Sequence, residues 1–271
     1  MHQNEKQHCA DAINLLTRYL GVRDIPSLDC RALRETFDLP CADLLILFGG
    51  AIPFAADVAA WAMTADSPVA SRLMVVGGVG HTTASLREKF RARFPQMATE
   101  GKSEAELYAA YLAHEYGLKN LLLETKSTNC GNNVTYALAR LKAAGLLPRN
   151  ILILQEPAMQ RRMAEGFRKA LADVPHAPRI ISYAPYRPTV IVKNDALAYA
   201  ENFWGLWPLS DYVTLLLGDV ARLRDDENGY GPRGKGYLLH VDVPPVVLSA
   251  FQLLQESGLG KVRTANAAFR S

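Results

Sequence analysis

Five short runs of apolar residues, separated by longer segments with helical periodicity, constrain the fold of this chain most strongly. The runs lie near residues 43–48, 72–76, 120–123, 150–154 and 179–183. Because each run is continuously apolar instead of alternating, we expect strands that are buried on both faces, as in a parallel sheet covered by helices. The pattern predicts an α/β sandwich with a five-stranded, mainly parallel sheet.

Helical segments extend this core at both ends of the chain. Residues 8–20 carry apolar side chains at helical spacing, and further helical segments are predicted near 194–204, 208–222 and 244–257. We therefore divide the 271 residues into three parts. These are an N-terminal helical extension (1–40), an α/β core (41–185) and a helical C-terminal appendage packed on the core (186–271).

Residues that typically begin or end helices agree with this pattern. Thr82 or Thr83 is suited to cap a helix that runs through Phe94, and Ser103 stands before a segment that begins with glutamates. Thr128 or Asn129 is suited to cap a helix that Gly145 ends. The helices between the strands therefore have plausible boundaries.

Composition excludes several classes of protein. The net charge of +3 is spread along the chain, whereas nucleic-acid-binding proteins usually concentrate basic residues. The four cysteines have neither the CxxC spacing nor the density of a disulfide scaffold, and the N-terminus lacks the pattern of a secretory signal. Residues 44–63 carry one charge, but Gly49–Gly50 and Pro53 interrupt them. We expect a soluble cytoplasmic protein without nucleic-acid or membrane partners; the oligomeric state stays open.

Glycine and polar residues follow the strands where a ligand site is expected. Gly49–Gly50, Gly77–Gly80 and Ser127–Asn129 each follow an apolar run, and the carboxyl ends of parallel strands share one sheet edge. Backbone N–H groups at such turns hold anions or strongly polar ligands. The glycine loop lacks the full GxGxxG spacing, so no motif supports a dinucleotide or methyltransferase site.

This edge defines the candidate ligand-binding residues. They are Gly49, Gly50, Gly77, Gly78, Gly80, His81, Thr82, Glu104, Glu124, Ser127, Thr128, Asn129, Asn133, Gln155, Glu156 and Arg162.

Four side chains at or beside this edge have more than one interpretation. His81 is either a ligand contact or a packed histidine, and it has no partner histidine at a metal-ligand spacing, so no metal is predicted. Cys130, in the first turn of a helix, is either a nucleophile or a small polar filler, with no paired base visible. Arg161 and Arg162 point in different directions, which leaves one for a ligand or carboxylate and one for solvent.

The motifs together resemble the YdcF-like branch of the bacterial YdcF/SanA superfamily. The resemblance is carried by Gly77-Gly78-x-Gly80-His81-x-Thr83, Glu104, Glu124-x-x-Ser127-Thr128-Asn129-Cys130-Gly131-x-Asn133, Gln155-x-Pro157-x-Met159-Gln160-Arg161-Arg162, Gly205-Leu206-Trp207-Pro208, Leu223-Arg224-Asp225-Asp226, Gly229-Tyr230-Gly231-Pro232-Arg233-Gly234 and His240-Val241-Asp242. It implies a Rossmann-like three-layer core and binding of S-adenosyl-L-methionine (SAM), without a known reaction. Cys130 and Asn132 depart from the wider superfamily, which usually has Thr and Glu there.

The leading hypothesis is therefore a SAM-binding protein whose status as an enzyme is open. In it, the N–H groups of Gly77, Gly78 and Gly80, with residues 127–129, hold the ligand's carboxylate and ribose. Glu104 or Glu124 meets its ammonium or sulfonium. One alternative is a hydrolase or transferase for a phosphorylated or nucleotide-like molecule, and another is a non-catalytic sensor or scaffold.

Overall fold

The computed structural model describes residues 2–262. Its helices are α1 (Gln3–Leu20), α2 (Cys30–Phe37), α3 (Phe54–Thr64), α4 (Thr83–Arg93), α5 (Glu104–Tyr116), α6 (Cys130–Ala143), α7 (Pro157–Ala170), α8 (Leu209–Leu223) and α9 (Pro245–Glu256). Its strands are β1 (Leu44–Phe48), β2 (Leu73–Val76), β3 (Leu122–Glu124), β4 (Asn150–Leu154), β5 (Arg179–Ser182), β6 (Val190–Lys193) and β7 (Ala196–Tyr199).

The first five strands form one parallel sheet in the order β3-β2-β1-β4-β5. The predicted α/β class and five-stranded sheet are thus confirmed, and the order is that of a Rossmann-like fold. Along the chain, β2 and β3 are added on one side of β1, and β4 and β5 are added on its other side. The topological switch therefore lies between β1 and β4. Ligands of open α/β sheets bind at the carboxyl ends of the strands beside such a switch.

Helices bury both faces of the sheet, which explains the continuously apolar strands. On one face Leu45, Leu47 and Val75 join a cluster with residues of α3, α4 and α5. On the other face Ile46 and Met74 join a cluster with residues of α6 and α7. Neighbouring residues of a strand point to opposite faces, so each strand needs apolar side chains at every position.

The segment after the core differs from the prediction of a helix near 194–204. The structure has an antiparallel hairpin of β6 and β7 there. Asn194 and Asp195 form its two-residue turn with φ of 51° and 59°, the left-handed conformation that such hairpins require and that Asn and Asp tolerate. The β-branched run Val190–Val192 precedes this turn and favours a strand. The predicted helices near 208–222 and 244–257 are confirmed as α8 and α9.

The N-terminal helix packs against the C-terminal helices. Ile13 and Leu16 of α1 share one buried cluster with Leu216 of α8 and Phe251 of α9. This cluster lies apart from the two clusters that cover the sheet. Among residues 2–262, no helix has both the length and the apolar character needed to cross a membrane.

Candidate functional site

Three loops meet at the carboxyl edge of the sheet and bond to one another. The backbone N–H of Gly77 donates to the Glu124 carbonyl at 2.9 Å, and that of Gly78 donates to Ser127 Oγ at 3.2 Å. The N–H of Gly80 donates to Thr83 Oγ1 at 2.8 Å. The expectation that these three N–H groups face a ligand is therefore not met in this structure, because each has an acceptor within the protein.

The start of α5 closes onto the same glycine loop. The N–H groups of Glu104 and Ala105 donate to the carbonyls of Gly78 and Gly77 at 3.0 and 2.8 Å. Ser103 caps the helix as predicted, since its Oγ accepts from the Glu106 N–H while the Glu106 carboxylate accepts from Ser103. Because the cap and the loop hold the first turn from two sides, the Glu104 side chain is fixed over the sheet edge.

Glu104 is a buried carboxyl group held by hydroxyls. Its Oε1 accepts from Thr82 and Thr83, each at 2.8 Å. Thr82 occupies the N-cap position of α4 but its side chain bonds Glu104 instead of capping the helix. Burial raises the pKa of Glu104 to about 7, although the two hydroxyls lower it. This carboxyl group therefore takes up and releases a proton near neutral pH.

Glu156 is the second buried carboxyl group of this edge, at the end of β4. Its carboxylate accepts from the N–H groups of Ala51 and Ile52, and from Trp207 Nε1 at 3.0 Å. Burial raises its pKa, and the Trp207 hydrogen bond and nearby Lys89 offset part of that shift. Lys89 Nζ lies 4.6 Å from the centre of the Trp207 ring. Trp207 thus covers the carboxyl end of β4.

The glycines after β1 make room for these two carboxylates. A Cβ at Gly49 would overlap Glu104 Oε2, and a Cβ at Gly50 would overlap Glu156 Oε1. Gln155 completes the arrangement, because its Nε2 donates to the Gly49 carbonyl at 3.1 Å. Gly49, Gly50 and Gln155 therefore serve the packing of the protein's own side chains in this structure.

Glu124 is a third buried carboxyl group, and one of its oxygens has no partner. Oε1 accepts from the backbone N–H groups of Lys126 and Ser127 at 2.6 and 3.1 Å. Oε2 is the one buried side-chain nitrogen or oxygen within residues 2–262 that lacks a hydrogen bond. In the sheet register Glu124 lies beside Val76, whose side chain faces α6 and α7. An acceptor without a donor is thus buried near the start of α6.

The first turn of α6 has the predicted cap but not an activated thiol. Asn129 accepts from the Asn132 N–H at 3.0 Å, Thr128 Oγ1 donates to Asn132 Oδ1 at 3.0 Å, and Asn133 is buried one turn further on. Burial raises the pKa of the Cys130 thiol, and nearby Arg162 offsets part of that shift. This direction disfavours a thiolate nucleophile and favours the interpretation as a polar filler.

The adjacent arginines both contact the protein. Arg162 pairs with Asp219 of α8. Arg161 Nε donates to the Tyr19 carbonyl at 2.7 Å and its guanidinium lies over the Tyr19 ring, so neither arginine is left to solvent alone, as one of the two was expected to be. His81 is exposed on the glycine loop.

Four further side chains lie near this edge or the start of α7 and were not predicted from the sequence: Lys89, Trp207, Asp219 and Arg222. Asp219 had a usable signal: it is a single acid within the apolar run Leu215–Val220 of α8, and a buried charge needs a partner. Trp207 belongs to the motif Gly205-Leu206-Trp207-Pro208, for which no contact was predicted. Lys89 had no comparable signal, since its neighbours are set by the tertiary fold.

At this edge the carboxyl groups of Glu104 and Glu156 bond groups of the protein itself. Two surface cavities of about 290 and 400 Å³ lie elsewhere: one between Leu197 and Val213, the other beside Arg161 and Ser182. Within the described part of the chain, no group of three or more His, Cys, Asp or Glu side chains is placed to hold a metal ion. The sequence matches no protein-family model.

Proposed function

We propose that this protein binds a small molecule with a cationic group at the carboxyl edge of its sheet, and that the ligand is SAM. The unpartnered Glu124 Oε2 is the observation that carries the proposal. A buried acceptor without a donor costs about 1–3 kcal/mol, and more if it is charged. A ligand N–H group placed here recovers that free energy.

Electrostatics supports a cationic ligand over a polyphosphate. Glu104, Glu124 and Glu156 are all buried at this edge, and Lys89 partly compensates Glu156. A triphosphate would bring further negative charge beside these groups, whereas the sulfonium and ammonium of SAM would be attracted to them. The resemblance to the YdcF-like branch independently implies SAM. The proposal concerns binding and assigns no reaction.

Calorimetric titration tests the proposal with three ligands. We expect heat of binding with SAM, weaker binding of S-adenosylhomocysteine because it lacks the sulfonium charge, and much weaker binding of ATP than of either. Glu124→Gln should weaken SAM binding by about tenfold, since a neutral amide replaces the charged acceptor. The matched control is Glu100→Gln, an exposed residue ahead of α5. Absence of heat with SAM beside clear heat with ATP would refute the proposal.

A further inference from the structure

Two arginines surround a single carboxylate where α6, α7 and α8 meet. Arg162 Nε pairs with Asp219 Oδ1, and Arg222 Nη1 lies 3.8 Å from Asp219 Oδ2. The side chains of Arg162, Arg222 and Asp219 are 13%, 19% and 3% exposed. This cluster, which we call the arginine pair, is therefore mostly shielded from water.

The charges of the arginine pair do not balance. Two guanidinium groups face one carboxylate. Within residues 2–262, the other ionisable side chains with a main effect on Arg162 are the thiol of Cys130 and the phenol of Tyr230, neither of which is a carboxylate. The nearby Arg224 has its own partner, Asp226, at 2.6 Å. One positive charge is thus left over in a partly buried place, where an uncompensated charge is unfavourable.

The arginine pair also has donors to spare. Arg162 uses Nε for Asp219 and also bonds the Cys130 thiol, and Arg222 approaches Asp219 beyond hydrogen-bond distance. Within residues 2–262, no oxygen accepts a hydrogen bond from the terminal nitrogens of either guanidinium. Since every buried side-chain nitrogen in this part of the chain has a partner, any of these nitrogens without one reaches accessible space. Guanidinium groups bind carboxylate and phosphate oxygens through such paired donors.

The position of the arginine pair connects it with the carboxyl edge. Glu156 is the N-cap of α7, and Arg162 follows six residues later, a rise of about 9 Å along the helix. Cys130 Sγ lies 4.0 Å from Met159 Sδ, so the first turn of α6 contacts the first turn of α7. The arginine pair therefore includes a residue within about two helical turns of the N-terminus of α7, which begins at the carboxyl edge.

We infer that Arg162 and Arg222 bind one oxyanion, a carboxylate or a phosphate, of the ligand that also carries the cationic group. The ligand class is therefore zwitterionic. The identity of that oxyanion as the methionyl carboxylate of SAM rests on the proposed function; the existence of the anion site does not.

One SAM analogue and three arginine variants test the site. Decarboxylated SAM lacks only the carboxylate, so we expect its Kd to be at least tenfold higher than that of SAM in titrations of the wild-type protein. Arg222→Gln should weaken SAM binding by the same factor and no longer distinguish the two ligands. Arg224→Gln removes the same charge two residues away and should change neither Kd by more than twofold. Arg162→Lys, which keeps the charge opposite Asp219, should show the same loss if the guanidinium geometry matters.

A thermal-unfolding series with inorganic phosphate makes the two proposals separable. If SAM does not bind at all, the proposed function fails, and the anion site still predicts that millimolar phosphate raises the Tm of wild type but not of Arg222→Gln. Equal Kd values for SAM and decarboxylated SAM would overturn the anion site while SAM binding stands. Loss of SAM binding together with an equal phosphate effect on wild type and Arg222→Gln would overturn both.

Discussion

Gly49 and Gly50 lie beneath the carboxyl groups of Glu104 and Glu156, where any other residue would place its Cβ on a carboxylate oxygen. Gly78 is similar, because its Cβ would overlap the Ser127 carbonyl. Glycine-rich turns after strands often cradle a ligand's phosphate, and the same residues permit close approach of protein groups. At this edge the close approach of loops accounts for all three glycines.

Gly78→Ala should therefore destabilise the protein whether or not ligand is present. The new methyl group meets backbone atoms of residues 126–127, which cannot move without shifting the loop. We expect a loss of about 1–3 kcal/mol in the free energy of unfolding, measured by urea titration. Gly131→Ala is the control, because its Cβ approaches only a side-chain oxygen, at 3.2 Å. Equal stability of Gly78→Ala and wild type would contradict the loop packing described above.

Glu104 should make stability depend on pH near neutrality. Its folded-state pKa of about 7 lies above the ordinary value of 4.5, so the folded state binds this proton more tightly than the unfolded state. The contribution is present at low pH and is lost as pH rises through about 7, with a slope of at most about 1.4 kcal/mol per pH unit. Relative to Glu104→Gln, the wild type should gain about 1–3 kcal/mol between pH 8 and pH 5.5 in urea titrations.

The control for this pH series is Glu100→Gln, which is exposed and keeps Glu104 intact. Its stability should follow the wild-type pH profile. Parallel profiles for wild type and Glu104→Gln would show that Glu104 does not titrate in this range.

At the scale of elements, the segment from Phe203 to Trp207 covers the carboxyl ends of β1 and β4. Gly205 has φ of 84°, and a Cβ there would lie 2.7 Å from Pro53 Cδ ahead of α3. Trp204 donates to Asp57 of α3 at 2.6 Å, and Trp207 donates to Glu156. Two indole N–H groups thus hold this segment against two buried carboxylates.

Trp207→Phe should loosen this segment, because it removes the indole N–H while keeping an aromatic ring at residue 207. The substitution removes one of the donors to Glu156, and hydrogen bonds to charged groups contribute about 1.5–3 kcal/mol. We expect a loss of that size in the free energy of unfolding by urea titration. Trp61→Phe is the matched control because the Trp61 side chain is half exposed on α3, and it should change stability by less than about 0.5 kcal/mol. A stable Trp207→Phe protein would mean that this hydrogen bond adds little.

Elements with a strong local signal were predicted, and one element with competing signals was not. Ser103 at the start of α5 and Gly145 after α6 act as expected, because caps and stops depend on a few neighbouring residues. The alanine-rich stretch after Asn194 suggested a helix, and a two-residue turn instead pairs it with residues 190–193. Pairing with a neighbouring strand overrides the weak helical preference of four residues.

At the scale of the whole molecule, the two ends of the chain form one hydrophobic cluster. Helix α1 precedes the sheet and α8 and α9 follow it, yet their apolar faces meet. The arginine pair lies where α8 joins α6 and α7. The N-terminal and C-terminal helices therefore pack against one another, and α8 also contributes Asp219 and Arg222 to the arginine pair.

Leu16→Ala should reveal how much stability this cluster contributes. Leu16 is fully buried in it, and a leucine-to-alanine change in a core costs about 2–5 kcal/mol. Leu147→Ala is the same chemical change at a side chain that is 90% exposed and should stay within about 0.5 kcal/mol of wild type. Equal urea midpoints for the two variants would show that α1 does not stabilise the folded chain.

Local physics made the parallel sheet, the helix caps and the meeting of the loops at one sheet edge predictable from sequence. Apolar runs such as Leu44–Phe48 must be buried on both faces, and the strand-to-helix junctions of a parallel sheet must share an edge. Only the tertiary structure decided which groups at that edge bond to one another. The N–H groups of Gly77 and Gly78 bond loop atoms, and Arg162 meets Asp219 from a helix 57 residues away. Such contacts depend on how segments that are distant in sequence pack together, and the spacing of residues along the chain does not determine that packing.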